Sequence, residues 1–343
     1  MPYSTPVRLA LFGAGRIGQV HARNISASPE AELVIIVDPF VQGAELLAAG
    51  TGSEVAEDPQ AVFDRDDVDG IVIASPTSTH VDLTTRAVAR DLAVLCEKPI
   101  DLDIGAVRAC KHDLGGRSSK IMLGFNRRFD PSFAAVRNRV AAGEVGSLEQ
   151  LIITSRDPEP APRAYIAGSG GIFRDMTIHD LDMARFFIPE ITEVSASGSN
   201  SFSKDIAELD DFDSTVVTMR GSGDELVTII NSRHCAYGYD QRLEAFGSEG
   251  MLSASNLGQT TVKKFTNSAT EQADPHLPFF LERYTAAYRA ELESFIRGIR
   301  NDEQFSPSFE DGVAALELAN AAAESVATGK TVPVASTSAP KAD

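Results

Sequence analysis

Asp175 and His179 stand four residues apart in Gly-Gly-Ile-Phe-Arg-Asp-Met-Thr-Ile-His-Asp-Leu-Asp, which runs from Gly170 to Asp182. If the segment is helical from about Arg174, that spacing puts both side chains on one face. A carboxylate within reach of an imidazole fixes its tautomer and stabilises its protonated form. An imidazole supported in this way is a general base for work near neutral pH. The same spacing also suits a pair of metal ligands or a plain structural contact. Asp182, one turn past His179, reads as an orienting or ion-pairing group rather than a catalytic one. A further candidate is Lys98, in Cys96-Glu97-Lys98-Pro99-Ile100. This run follows an apolar stretch of strand length, 92–95, and strands of open parallel sheets present their C-terminal ends to the ligand crevice. Lys98, with Glu97 before it and Pro99 stiffening the backbone after it, is expected where cofactor and substrate meet.

The N-terminal stretch carries a different chemistry. An apolar run, Val7 to Phe12, is followed by Gly13-Ala14-Gly15-Arg16-Ile17-Gly18 and then by a helical pattern from Gln19. A second apolar run ends at Asp38, twenty residues after Gly18. G-x-G-x-x-G alone is weak, but between a strand and a helix, with an acid closing the next strand, it is a dinucleotide-binding signature. Gly13 permits the tight turn, Gly15 lets the backbone approach a pyrophosphate, and Gly18 lets helix and strand pack closely. The amides at the helix start, those of Arg16 and Ile17 included, then bind phosphate. Asp38 accepts hydrogen bonds from a ribose 2'-hydroxyl and repels a 2'-phosphate. Pro39 and Phe40 follow it, so no adjacent Arg welcomes that phosphate, and NAD is expected over NADP.

These residues need an α/β frame to hold them. Apolar runs at 7–12, 33–37, 70–74, 92–95 and 121–124 alternate with helical patterns such as 81–90 and 103–113. That alternation predicts a doubly wound parallel sheet over residues 1–124. From 125 to 334 the pattern changes to an α+β domain. Strands expected near 148–155, 193–199, 214–220, 225–231, 242–246 and 251–254, after one helix, imply an open, largely antiparallel sheet. Helical stretches at 279–300 and 309–328 are expected to pack back on the domains, and 335–343 to be a frayed tail.

Within this frame, Ser75-Pro76-Thr77-Ser78-Thr79-His80 follows the third core strand and borders the cofactor crevice. Ser75, Pro76, Thr77 and His80 can contact the nicotinamide ribose or the pyrophosphate, or the segment can serve as a helix cap. His80 taken alone reads as a packing or hydrogen-bonding histidine. Arg128 is expected to pair with an acid. Of Tyr237 and Tyr239, beside Asp240, one is expected to line a substrate pocket and the other to pack. His234 reads either as a structural histidine or as a donor to a polyol.

The glycine fingerprint, Glu97-Lys98-Pro99 and Gly171-x-x-x-Asp175-x-x-x-His179-Asp180 together resemble the Gfo/Idh/MocA family of NAD(P)-dependent sugar and polyol oxidoreductases. The run Asp175-Met176-Thr177-Ile178-His179-Asp180-Leu181-Asp182-Met183-Ala184-Arg185 is similar to its inositol-oxidising branch. The resemblance continues at Gly124-Phe125-Asn126-Arg127-Arg128-Phe129-Asp130 and at Tyr237-Gly238-Tyr239-Asp240-Gln241-Arg242, and so spans about Val7 to Thr331. It implies a Rossmann cofactor domain, a catalytic Lys98, Asp175 and His179, an Arg127 that reaches substrate hydroxyls, and a homotetramer. It also implies a cyclic polyol as substrate, myo-inositol first and scyllo-inositol second. A glucose-like pyranose, with the same equatorial hydroxyls, is a rival substrate. An NAD(H)-binding regulator without catalysis is the non-enzymatic rival, and an intact Lys98, Asp175 and His179 argue against it.

Composition sets outer limits. The 343 residues suffice for two domains, and 43% hydrophobic content excludes wholesale disorder. A net charge of −18 argues against nucleic acid or an anionic membrane as partner. No stretch approaches the roughly 18 apolar residues of a membrane span, and the first residues lack a signal-peptide core, so a cytoplasmic enzyme is expected. Cys96, Cys110 and Cys235 are too scattered for a disulfide framework or a Cys-rich zinc site. Lys98 can supply the cation that a metal would otherwise provide, so a metal-free site is expected. Strands near 214–220 and 225–231 carry apolar residues on both faces, which gives an open sheet something to bury against another subunit.

Overall fold

The computed structural model describes residues 5–335; the frayed tail expected over 335–343 lies, beyond Ala335, outside the described residues. The chain divides into two compact units, one running to Phe129 and taking in Ala286–Val313, the other comprising Asp130–Thr285 and the chain from Ala314.

The first unit is built on a parallel six-stranded sheet: β1 (Val7–Phe12), β2 (Ala31–Val37), β3 (Glu54–Ala56), β4 (Gly70–Ile73), β5 (Ala93–Cys96) and β6 (Ile121–Leu123). Their order is β3-β2-β1-β4-β5-β6, so the winding reverses between β1 and β4, and the C-terminal ends of those two strands flank a ligand crevice. The central strands read as continuous apolar runs because helices cover both faces. Leu9, Leu11, Ile71, Val72 and Ile73 are fully buried, each contributing about 1.5–3 kcal/mol of transfer free energy. In the helix Arg16–Ala27 the buried residues Gly18, His21, Ala22 and Ile25 recur at helical spacing on one face. The edge strand β3 was not expected from the sequence. It is three residues long and only partly buried, so it lacks the apolar run that marked its neighbours.

A second contribution comes from far along the chain. Leu292, Phe295 and Ile296 of the helix Thr285–Asn301 join Leu9, Leu11 and Ile25 in one core. The continuous helix expected over 279–300 is instead broken, into Phe280–Arg283 and Thr285–Asn301. The break falls at buried Tyr284, whose hydroxyl donates to Gln241 Oε1 at 3.0 Å.

The second unit holds a mixed seven-stranded sheet. Its strands are β7 (Leu148–Arg156), β8 (Ile191–Ser199), β9 (Ser214–Gly221), β10 (Leu226–Ser232), β11 (Asp240–Gly247) and β12 (Gly250–Ala254). After a small pair, β13 (Lys263–Lys264) with β14 (Gln272–Ala273), comes β15 (Val332–Pro333). The order β12-β11-β7-β10-β9-β8-β15 is antiparallel except at β7/β10, which run parallel. Helices Pro131–Ala141 and Ile178–Phe187 lie against this sheet. Alternation is clear along β9 and β10. Val217, Met219, Val227 and Ile229 are buried, whereas Val216 and Leu226 are each 45% exposed. Phe246 and Met251 are also exposed.

Candidate active site

In the first unit the glycine turn has the geometry its sequence implied. Gly13 has φ +97°, and a Cβ there would meet the Ala74 carbonyl oxygen at 2.6 Å. A Cβ on Gly18 would lie 1.9 Å from the Gly13 oxygen, so helix and turn close only on glycine. Gly15, by contrast, faces open space. It precedes a helix whose first turn has no side-chain cap and no acid, which leaves amides and positive dipole for an anion. Asp38 Oδ2 accepts from the Ala14 amide at 2.7 Å and Oδ1 from the Phe40 amide at 2.8 Å. Its half-buried carboxylate is thus fixed at the end of β2 against the glycine turn. An open phosphate cradle beside an oriented carboxylate fits NAD.

The Ser75 loop lies beside this turn, since the Cβ position of Gly13 is also 2.7 Å from the Ser75 nitrogen. Ser75 and Thr79 hydroxyls are hydrogen-bonded at 2.6 Å, and the Thr79 hydroxyl donates to the Pro76 carbonyl. Pro76 and Thr77 therefore sit in a braced turn at the end of β4. The His80 ring is engaged as a hydrogen-bonding histidine's would be: both ring nitrogens face backbone carbonyls and the residue is 1% exposed. Glu97 is buried as well. Its carboxylate turns inward to His21 Nε2 at 2.9 Å, and it packs so closely on Gly124 that a Cβ there would meet Oε2 at 2.8 Å. Lys98 is half-buried just beyond β5, with the Lys98–Pro99 peptide cis. Arg127 is buried in the turn after β6, while Arg128 pairs with Asp311 at 3.2 Å, as its expected ion pair required. Burial opposes the charge on Asp311, but Arg128 and the Ser308 groups outweigh it and hold the carboxyl below its usual range.

No motif pointed to Glu291. It is fully buried on the helix Thr285–Asn301, and neither carboxyl oxygen has a hydrogen-bond partner. Burial, with Glu97 adding a like charge, pushes it well above the usual carboxylate range.

In the second unit Gly170 and Gly171, both at φ +83°, lead into the segment that bears Asp175 and His179. The helix expected from Arg174 opens instead with a π turn, Phe173–Thr177, and becomes α-helical over Ile178–Phe187. Such turns are frequent at functional sites, where they re-aim side chains. Asp175 and His179 are both half-buried on this segment, between buried Met176, Thr177, Ile178 and Asp180. Asp175 Oδ1 accepts from the Tyr165 hydroxyl at 2.8 Å, and Oδ2 lies 3.3 Å from Arg233 Nη1. Arg233 is 1% exposed, and its Nη2 donates to Asp211 Oδ2 at 2.9 Å. Asp211 Oδ1 in turn accepts from the Ile172 amide. Tyr165 and a buried guanidinium thus fix the position of the Asp175 carboxylate.

The helix bearing His179 is pinned by a second network. Buried Asp180 accepts from Ser155 Oγ and from Asn231 Nδ2, both at 2.7 Å, and Asn231 Oδ1 accepts from the Thr177 hydroxyl. Ser155 and Asn231 are register partners in the parallel β7/β10 pair, so the sheet presents both to the helix at one level.

Tyr237 and Tyr239 separate as expected in one respect: Tyr239 packs, buried against Phe279 and Tyr284. Tyr237 is 52% exposed, donates to Asp240 Oδ2 at 2.7 Å and accepts from Arg156 at 2.8 Å. Asp240, fully buried, is held far below the usual carboxylate range. Burial resists this, and Arg242, Tyr237 and Asn256 overcome it. His234 stacks on Phe202 with centroids 3.8 Å apart. Among the described residues no group of three or more His, Cys, Asp or Glu is arranged to hold a metal ion, and no helix is long and apolar enough to cross a membrane.

A glycine cradle that fits NAD in one unit, and Asp175 and His179 four residues apart in the other, fit a nicotinamide-dependent oxidoreductase. Residues 7–125 match the oxidoreductase family with an NAD-binding Rossmann fold, and residues 133–253 match the GFO/IDH/MocA C-terminal domain. The chain belongs to the Gfo/Idh/MocA oxidoreductase family. It is similar to a myo-inositol dehydrogenase of Corynebacterium glutamicum ATCC 13032 of known structure, with 66% identity, a TM-score of 0.95, and coverage of 96% of this chain and 99% of that one. An inositol 2-dehydrogenase of Rhizobium meliloti is 44% identical over 96% of this chain and 99% of its own length. A myo-inositol 2-dehydrogenase of Thermotoga maritima is 39% identical over 95% and 98%.

Proposed function

We propose that the chain oxidises a secondary ring hydroxyl of inositol to the keto-inositol, with Lys98, Asp175 and His179 as the groups that manage the proton. The observation that carries this reading is Asp175, fixed in place by Tyr165 and buried Arg233 one turn before His179. NAD, held by Gly13, Gly15, the Arg16 and Ile17 amides and Asp38, supplies the hydride acceptor. The Lys98 ammonium hydrogen-bonds the substrate hydroxyl and stabilises the alkoxide charge as it develops. Neutral His179 takes the proton, and Asp175 stabilises the imidazolium that results. Ser75, Pro76 and Thr77 contact the cofactor from the adjoining loop.

Arg127 and Tyr237 bind further ring hydroxyls. Each buried donor or acceptor left unpaired costs about 1–3 kcal/mol, which is how such a site reads axial against equatorial groups. Myo-inositol is the leading substrate, since the Corynebacterium glutamicum and Thermotoga maritima relatives are named for it, and scyllo-inositol follows. The enzyme is a homotetramer that covers the exposed Val216, Leu226, Phe246 and Met251 face, and it works in the cytoplasm, where buried Cys96, Cys110 and Cys235 stay reduced. A screen of inositol isomers and pyranoses, read by NADH absorbance, tests the substrate. Turnover with glucose but no inositol would replace it, and NADH binding without any turnover would favour a regulator. Light scattering that returns a 36.7 kDa monomer at micromolar concentration would remove the tetramer.

A further inference from the structure

His80 opens the helix His80–Ala89 with its ring sealed from solvent. Nδ1 lies 2.8 Å from the Pro99 carbonyl oxygen and Nε2 lies 2.9 Å from the Ser75 carbonyl oxygen. Carbonyls only accept. A neutral imidazole has one N–H, so in that state one ring lone pair would face a carbonyl lone pair where no water can intervene. Turning the ring over does not help, because both partners have the same polarity. Two donors are required.

We propose that His80 is a buried imidazolium that braces the cofactor loop at Ser75 against the Lys98–Pro99 bend, and so acts as a positioning residue for Lys98. The assignment of Lys98 as catalytic comes from the function proposed above, and the brace rests on it. The two carbonyls belong to the segments that follow β4 and β5, next to each other in the sheet. One ring therefore couples the loop expected to touch cofactor with the residue after Lys98. A second observation agrees. Burial pulls His80 towards neutrality, but the Cys96 sulfur and then the Ser75 and Pro99 carbonyls outweigh it, raising the group from 6.5 to about 9. Cys96, from β5, is the titratable group that faces the ring. Its Sγ also donates to the Glu97 carbonyl at 3.3 Å.

The sign of the linkage follows. A histidine whose folded value is raised lends stability that is full below its unfolded value near 6.5 and is lost as pH rises through about 9. The test uses the full chain with ¹⁵N-labelled histidine, without ligand, and correlates ring nitrogens with carbon-bound ring protons. His80→Gln identifies the resonance. At about pH 7.5 both His80 nitrogens should be protonated, and they should titrate near pH 9. One protonated and one bare nitrogen at that pH overturns the proposal.

Two further readings address the brace. His80→Gln should lower kcat by about tenfold or more with little change in NAD affinity, since Lys98 is displaced while the glycine turn is not. The melting-temperature gap between wild type and variant should close as pH passes 9. Unchanged kcat in a folded variant, or a gap independent of pH, overturns the brace. If the variant does not fold, wild-type kcat must fall through the midpoint seen in the wild-type spectrum, and a flat profile there overturns the brace. Lys98→Ala, measured alongside, separates the two claims: full turnover in that variant removes the role of Lys98, while the proton on His80 is still decided by the spectrum.

Discussion

The glycine cradle and the segment that bears Asp175 and His179 are built in opposite ways. Gly13, Gly15, Gly18 and Asp38 lie within 26 residues of one another, and their work is done by backbone shape and amides. Asp175 depends on Arg233, 58 residues away, and Asp180 on Asn231, 51 residues away. The first is a local device that a short sequence specifies. The second is a network of buried charges whose geometry exists only once the β7/β10 ladder has formed. Damage should therefore differ in kind: binding without loss of fold in the first, and chemistry or stability in the second.

The largest effect should come from the second region. His179→Ala should reduce turnover by a factor of about 100 or more, with NAD affinity unchanged in a direct titration. Near-normal turnover would remove the dyad from the mechanism and erase the contrast. Next in size, Arg233→Met leaves Asp175 and Asp211 without their shared cation, and denaturant unfolding should show a loss of about 3–5 kcal/mol. A stability within experimental error of wild type would mean that the arginine is not the keystone of this network.

The first region should respond in its own currency of binding. Gly18→Ala forces a Cβ against the Gly13 oxygen, so NAD affinity should fall by about tenfold or more while the second unit is unaffected. Asp38→Ser should raise the NADP-to-NAD efficiency ratio by a similar amount, and wild-type preference for NADP would refute this role of the strand end. The smallest effect sharpens the comparison within the first unit. Glu291 is raised, so the folded chain keeps a proton that the unfolded chain releases above about pH 4.5, and stability is lost as pH rises from there. Glu291→Gln should thus melt higher than wild type at neutral pH, with the difference shrinking as pH drops towards 4. A variant that melts lower at neutral pH would show the carboxylate to be ionised and paired.

How much of this was legible in the sequence follows from distance along the chain. The parallel sheet, the glycine turn and the strand-end acid declare themselves because each is a local pattern of apolar runs and glycines. Lys98, Asp175 and His179 stood out because they sit in short, distinctive motifs. The side-chain directions of Glu97 and His80 were not legible, for the same reason. Their motifs placed them near the crevice, but a motif does not say which way a side chain turns. Glu97 turns to His21, 76 residues back, and His80 to Pro99, 19 residues on.

The sequence by itself determined two kinds of thing. Hydrophobic periodicity set which segments are strands and helices, and steric permission set where only glycine fits. Tertiary structure alone decided the neighbours of buried titratable groups: Arg233 between Asp175 and Asp211, Glu291 beside Glu97, and His80 between two carbonyls. It also decided the parallel pairing of β7 with β10, the break at Tyr284 and the enlistment of the helix Thr285–Asn301 into the first unit's core. The physical reason is range. Backbone propensity acts over a few residues, whereas an ion pair or a buried proton depends on groups that meet only after the chain has folded.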